Sequence, residues 1–196
     1  MTHPGQPLRL GAVVLAGGTG ARLGGRDKAA IEVDGVTLLE RALSATLAAL
    51  EVVVVGAEVP TSRPVTWCRE DPPLGGPAAG LLTALDRFAV APDLVAVLAV
   101  DMPKVNAGTL ARLTWAVEAD PAVDGAVLVD DQGRRQTLAS VYRRSALVAA
   151  RPRDGQEHGL PMRRLVGTLR LAEVATVGDE ARDVDTWADV RDLQTP

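Results

Sequence analysis

The chain has 196 residues, of which 47% are hydrophobic and only 3% aromatic, and a formal net charge of −4. That length supports one sizeable core built on Val, Leu and Ala, the acidic balance argues against a domain that tracks a nucleic-acid backbone, and a lone cysteine, Cys68, excludes an internal disulfide. The polar opening Met1-Thr-His-Pro-Gly-Gln-Pro7 lacks the apolar core of a secretory leader, and the apolar runs are too short to span a membrane, so a cytoplasmic protein without membrane or nucleic-acid partners is expected.

In chain order, residues 1–8 read as a loose tail and 10–16 as a buried strand. The strand runs into a glycine-rich turn, Gly17-Gly-Thr-Gly20, followed by Arg22, Arg26, Asp27 and Lys28. Glycines let backbone N–H groups approach a ligand closely, and such a turn at a strand end can cradle phosphates while cations complete the site. Lysine is scarce in this chain, with only Lys28 and Lys104, which makes a lysine in this loop more informative. Two commoner phosphate loops fail by counting. A dinucleotide turn needs glycine at the first, third and sixth positions, and Leu23 holds the sixth after Gly18 and Gly20; a Walker A loop needs Gly-Lys-Ser/Thr, whereas Lys28 stands between Asp27 and Ala29. The loop is also longer than either and suits a triphosphate wrapped from several sides.

Residues 29–35 form an extended piece closed by the turn pair Asp34-Gly35. Thr37 and Glu40 have capping-box spacing for a helix to about residue 49. Strands follow at 51–56 and 65–69, the latter burying Cys68. The Gly/Pro-rich stretch 70–77 leads into a helix over 78–88, with Pro77 in the first turn. The unbroken apolar run 94–100 is a strand buried on both faces and ends at Asp101. A helix is expected over 107–119, strands over 126–129 and 136–142, helices over 143–151 and 160–166, a strand over 169–177, and a last helix from Thr186 to about 193. Strand and helix alternate through the first 120 residues, which predicts an α/β, three-layer α/β/α sandwich with a mostly parallel sheet, in one domain spanning 1–196.

Asp101 is the most informative acid, because ligands of open α/β sheets bind at the carboxyl ends of the strands. A carboxylate beside bound phosphates needs a cation between them, and Mg2+ takes one or two carboxylates plus phosphate oxygens. Asp185, or Asp183 beside it, can supply the second carboxylate, with Asp189 as a local acid at the start of the last helix. His158 reads as a surface residue of a glycine-containing loop, and with His3 makes no zinc set. Trp67, Trp115 and Trp187 read as core or half-buried packing.

Leu15-Ala-Gly-Gly-x-Gly-x-Arg-x-Gly-Gly-x-Asp-Lys28 closely resembles the opening signature of the nucleotidyltransferases that make molybdenum cofactor dinucleotides, and more narrowly that of the molybdenum cofactor guanylyltransferase family. Gly76-Pro-Ala-Ala-Gly80 with Asp71 before it, Asp101-Met-Pro103, Thr137-Leu-Ala-Ser-Val-Tyr142, Arg163-Arg-Leu165 and Asp183-Val-Asp-Thr186 are similar to further elements of that family. Thr137 and Ala78 depart from its usual proline and leucine. The resemblance implies a Rossmann-like nucleotidyltransferase sheet that transfers GMP from GTP to the terminal phosphate of molybdopterin, with Mg2+. By position, Leu15, Ala16, Gly17, Gly18, Gly20, Lys28, Asp71 and Asp101 would bind the nucleotide. Arg22, Lys28 and Asp101 would be catalytic, and Asp101 and Asp185 would hold the metal. Arg163 and Arg164 fit either the acceptor phosphate or a solvated helix face. CTP-using relatives and other phosphorylated acceptors share the same loop, and a non-catalytic nucleotide-binding regulator is the reading from another class. The resemblance also implies a monomer or weak oligomer with transient contact to molybdoenzyme apoproteins or cofactor-handling proteins.

Overall fold

Residues 7–17, 27–70, 73–153 and 156–194 are described by the structure, a computed structural model. Nine strands and six helices follow in chain order: β1 (Leu10–Leu15), β2 (Glu32–Val33), β3 (Val36–Thr37), α1 (Leu38–Ala45), β4 (Val52–Val55), β5 (Thr66–Cys68), α2 (Gly76–Leu85), β6 (Leu94–Ala99), α3 (Ala107–Ala119), β7 (Gly125–Val129), β8 (Arg135–Arg143), α4 (Arg144–Ala150), α5 (Met162–Leu165), β9 (Leu171–Ala175) and α6 (Trp187–Leu193). Seven strands form one sheet in the order β5-β4-β1-β6-β8-β7-β9. β1 pairs in parallel with both β4 and β6, and β5 extends the parallel set beyond β4. β8 alone runs against its neighbours β6 and β7, and β9 pairs in parallel with β7.

Strand period sorts the side chains into two cores. Ala12 and Val14 of β1, with Ala96 and Leu98 of β6, face α1, α3 and α6. Val13 and Leu15, with Val95 and Val97, face α2, α4 and α5. The six residues of β1 and of β6 are all buried, which explains their unbroken apolarity. The expected three layers and mostly parallel sheet are therefore present. Seven of the ten residues of α2 are buried, so this helix is apolar nearly all round. Gly80 lets it approach the sheet, since a Cβ there would lie 3.1 Å from Val55 Cγ1.

Several local expectations shift. The helix after Thr37 ends at Ala45 rather than about 49. Thr37 caps it by accepting from the Glu40 N–H, but the capping box does not close: the Glu40 carboxylate instead accepts from the N–H and hydroxyl of Ser62. A long-range partner has replaced the local one. Asp34 and Gly35 both have positive φ, 54° and 75°, as a two-residue hairpin between β2 and β3 requires. α6 does form the box, with Thr186 and Asp189 reciprocating. Trp67 packs against the core at partial exposure and Trp187 is 41% exposed, but Trp115 is 70% exposed, so the expectation of buried or half-buried packing fails for Trp115. Trp115 stands on the exposed side of α3, and helical spacing alone does not decide which side that is. Cys68 is buried, and burial, with Glu70 nearby, pushes its thiol up against a smaller opposing pull from Arg87. No helix among the described residues is long and apolar enough to cross a membrane.

Candidate active site

The parallel half of the sheet places the carboxyl ends of β5, β4, β1 and β6 along one edge. A cleft of about 700 Å3 opens there. Its floor is Leu15, Ala16 and Gly17 after β1, Gly56 after β4, and Ala99 to Asp101 at the end of β6. The Pro73–Pro77 turn and α2 form one wall, Asp27 and Lys28 another, and Leu138 of β8 also lines it.

Lys28 is the centre of the charge arrangement. The Asp27 carboxylate accepts from the Ala29 N–H and so caps the short 3-10 turn that carries the lysine. Lys28 Nζ donates to Asp101 Oδ2 and to Asp185 Oδ1, both at 2.8 Å. The lysine side chain is only 16% exposed. Burial pulls its ammonium pKa down, but the hydrogen bonds and charges of Asp101 and Asp185 outweigh that and raise it, so Lys28 is a permanent cation. Residues separated by 157 positions thus meet at one ammonium.

Two ties hold the segment that carries Asp183 and Asp185. The Val184 N–H donates to the Asp101 carbonyl at 2.8 Å, locking the segment to the end of β6. Upstream, the buried Glu180 carboxylate accepts from the Thr109 hydroxyl, from Arg112 Nη2 and from the Val177 N–H. Asp183 faces the same centre. Burial, then the charges of Asp101 and Asp185, raise its pKa, against a weaker opposing pull from Lys28 and Arg134.

Leu15, Ala16, Gly17, Lys28 and Asp101 are brought together at the cleft, and Asp185 joins them through Lys28. Gly18, Gly20, Arg22 and Asp71 lie outside the described residues. The Gly17 N–H, expected to face a ligand, instead donates to Val55 O at 2.9 Å, as does that of Ala16. These two residues join β1 to β4 as cleft floor. Arg163 and Arg164 are exposed on α5 and do not line the cleft, which fits the solvated-face alternative in this conformation. Sequence reasoning passed over Arg69, Glu70, Leu74 and Leu138, all cleft residues. The Gly/Pro-rich composition of 70–77 was the available signal for the middle two. No group of three or more metal-ligating side chains occurs among the described residues. Asp101 and Asp185 do converge on one point, and two hard carboxylates supplemented by phosphate oxygens are a donor set that suits Mg2+.

Residues 12–174 match the MobA-like NTP transferase domain family. A molybdenum cofactor guanylyltransferase of Shewanella amazonensis is 32% identical over 130 residues, a match covering 64% of this chain and 65% of that protein. The chain thus spans just under two thirds of that curated relative's length. A probable molybdenum cofactor guanylyltransferase of Opitutus terrae is 35% identical over 189 residues, covering 91% of this chain and 90% of that protein. Among solved structures, molybdopterin-guanine dinucleotide biosynthesis protein A of Archaeoglobus fulgidus superposes with a TM-score of 0.70 at 19% identity, over 93% of this chain and 96% of that one. The 2-C-methyl-D-erythritol 4-phosphate cytidylyltransferase of Thermus thermophilus superposes with a TM-score of 0.66 at 21% identity, over 95% and 98% of the two chains. These two superpositions show a shared Rossmann-like nucleotidyltransferase fold. The chain belongs to the MobA-like NTP transferase family, in its molybdenum cofactor guanylyltransferase branch.

Proposed function

We propose that the protein transfers GMP from GTP to the terminal phosphate of molybdopterin, releasing pyrophosphate and forming the guanine dinucleotide. The observation that carries this reading is the meeting of Lys28, Asp101 and Asp185 at the mouth of a cleft on the carboxyl edge of the parallel strands, in a chain of this family. The acceptor phosphate is already largely ionised near neutral pH, so its attack on the α-phosphorus of GTP needs no general base. What the protein must supply is position and charge.

Lys28 is the group to neutralise the triphosphate, and its raised pKa keeps it charged throughout the working range. Arg22, from the same loop, is assigned to the same charge, and Gly18 and Gly20 to the phosphate cradle. Asp71 is assigned to the guanosine part. Asp101 and Asp185 would hold Mg2+ together with nucleotide oxygens. Bound there, the ion would supply Lewis-acid stabilisation of the charge that grows on the leaving pyrophosphate. Arg163 and Arg164, exposed on α5, are the candidates for contacting an acceptor phosphate.

Calorimetric titration with GTP, CTP, ATP and UTP, each with Mg2+, tests the nucleotide, and pyrophosphate release with molybdopterin tests the transfer. A preference for CTP would move the protein to cytidylyl transfer on the same fold. Tight GTP binding with no transfer to molybdopterin would leave a nucleotide-binding regulator.

A further inference from the structure

The run Thr137-Leu-Ala-Ser-Val-Tyr142 of β8 carries none of the charges that the transfer uses, yet it reaches the cleft through Leu138. Its register is irregular. Val127 of β7 pairs with Ser140 and the next residue, Leu128, with Gln136, so Thr137, Leu138 and Ala139 have no partner on β7. On the other side β8 stays in register with β6 as far as Leu98 and Ala139. An ordinary bulge inserts a single residue, and bulges beside active sites re-aim a side chain. Here three residues leave the β7 ladder at the cleft edge, and Leu138 among them lines the cleft together with Ala99, Val100 and Asp101 at the end of β6.

Two buried hydroxyls close on this bulge. Tyr142 Oη donates to the Thr137 carbonyl at 3.1 Å, and Ser140 Oγ donates to the same oxygen at 2.9 Å. Tyr142 is the chain's single tyrosine and, among the described residues, its largest fully buried side chain. Opposite it on β7 stands Gly125, where a Cβ would lie 2.7 Å from Tyr142 Cδ1, so the sheet keeps a slot for the ring. Burial pushes the phenol up to about 12, against weaker pulls from Ser140 and Arg135, and it remains a donor at neutral pH. A phenylalanine would fill the same slot without burying a hydroxyl, which costs free energy unless it is bonded. What the tyrosine adds is a bond to the bulge.

We propose that Tyr142 and Ser140 are positioning residues for the transfer: their hydroxyls fix the bulge by its Thr137 carbonyl, and the fixed bulge holds Leu138 as an apolar wall beside Asp101. A carbonyl oxygen with two donors has both lone pairs filled, which sets its direction more narrowly than one bond does. In a reaction that runs on position and charge, a wall displaced by about 1 Å costs about 100-fold in rate. Leu138 brings no charge to the triphosphate, so the cost falls on kcat rather than on GTP affinity. The inference rests on the nucleotidyl transfer proposed above and adds to it the residues that shape the cleft at Asp101.

The test is a mutant cycle on the full-length protein, read as pyrophosphate release from GTP with molybdopterin and Mg2+, with GTP affinity from calorimetry and folding from the thermal midpoint. Tyr142→Phe keeps the ring in its slot and removes one donor, and Ser140→Ala removes the other. Each should lower kcat by about 10-fold and leave GTP affinity within about 2-fold of wild type. Leu138→Ala, which removes the wall itself, should lower kcat to a similar extent. Adding Tyr142→Phe to Leu138→Ala should then lower it by less than about 2-fold more, because the hydroxyl acts through the side chain already removed. Effects that multiply independently would make Tyr142 a core residue with no role in positioning and overturn the inference, as would wild-type kcat in both hydroxyl variants. Should Tyr142→Phe not fold, Ser140→Ala in the same cycle with Leu138→Ala decides by the same criterion. Transfer from CTP in place of GTP would overturn the guanylyl reading alone, with the cycle then read on CTP. A wild type that transfers neither nucleotide would overturn both.

Discussion

Two clusters of charge sit on the same segment, residues 176–186, and they are built oppositely. At Glu180 one carboxylate, 4% exposed, has three donors: the Thr109 hydroxyl, the Arg112 guanidinium and the Val177 N–H. A few positions on, Asp185 and Asp101 both accept from the Lys28 ammonium at an open cleft, with Asp183 close enough to feel their charges. The first cluster is closed on buried donors, whereas the second stands at the edge of a cleft. Desolvation explains the difference. A buried carboxylate persists only if its hydrogen-bonding capacity is filled, whereas carboxylates at a cleft stay solvated and open to an incoming ligand.

The contrast is sharpest at Asp101. Asp101→Ala should lower the rate of nucleotidyl transfer by about 10²- to 10³-fold while leaving the far-ultraviolet circular dichroism and unfolding midpoint near wild type. A large loss of stability with transfer intact would mean that the cleft cluster is structural after all.

Glu180→Ala should behave in the reverse way. It removes the acceptor for three donors and should cost about 2–4 kcal/mol in urea unfolding. The effect also has a pH signature. Burial acts to raise the Glu180 pKa, but its bonds to Arg112, Thr109 and Val177 outweigh this and depress it in the folded state. Its stabilisation is therefore complete above the ordinary glutamate pKa and is lost as pH falls through the depressed folded value. The gap between wild type and variant should narrow on acidification below about pH 4. A gap that widens in acid would contradict the assignment.

Lys28→Ala should weaken GTP binding by about 10-fold or more and leave Asp101 and Asp185 facing each other without their shared ammonium. The titration that reads GTP affinity should therefore show a steeper dependence on added Mg2+ in the variant. Equal affinity in the two proteins would remove Lys28 from the nucleotide site.

The smallest effect is expected at Asp183. Its folded pKa lies above the ordinary aspartate value because of burial and the charges of Asp101 and Asp185. Such an acid costs stability once pH rises above its unfolded pKa and costs nothing where both states are protonated. Asp183→Asn should therefore raise the thermal midpoint slightly at pH 7 and have no effect near pH 3. A lowered midpoint at pH 7 would show that Asp183 makes a favourable contact instead.

Much of this was legible in the chain. Wholly apolar runs such as Leu94–Ala99 are buried strands because no polar side chain interrupts them, and the abrupt stop at Asp101 falls at the edge of the cleft. The boundaries slipped where a distant partner competed with a local signal. Glu40 has capping-box spacing, yet its carboxylate goes to Ser62 across 22 positions. Arg69, Glu70 and Leu74 were passed over because nothing in their spacing says which strand they will stand beside.

What the sequence determined by itself was the local physics: buried strands from unbroken apolar runs, turns from Asp34-Gly35, and helix starts at Thr37 and Thr186. The tertiary structure decided which of those pieces meet. Only strand order brings the ends of β5, β4, β1 and β6 to one edge, and only the return of residues 176–186 across β6 sets Asp185 at 2.8 Å from Lys28. Backbone propensity and hydrophobic period act over a few residues, and charge acts on whatever the fold brings within reach.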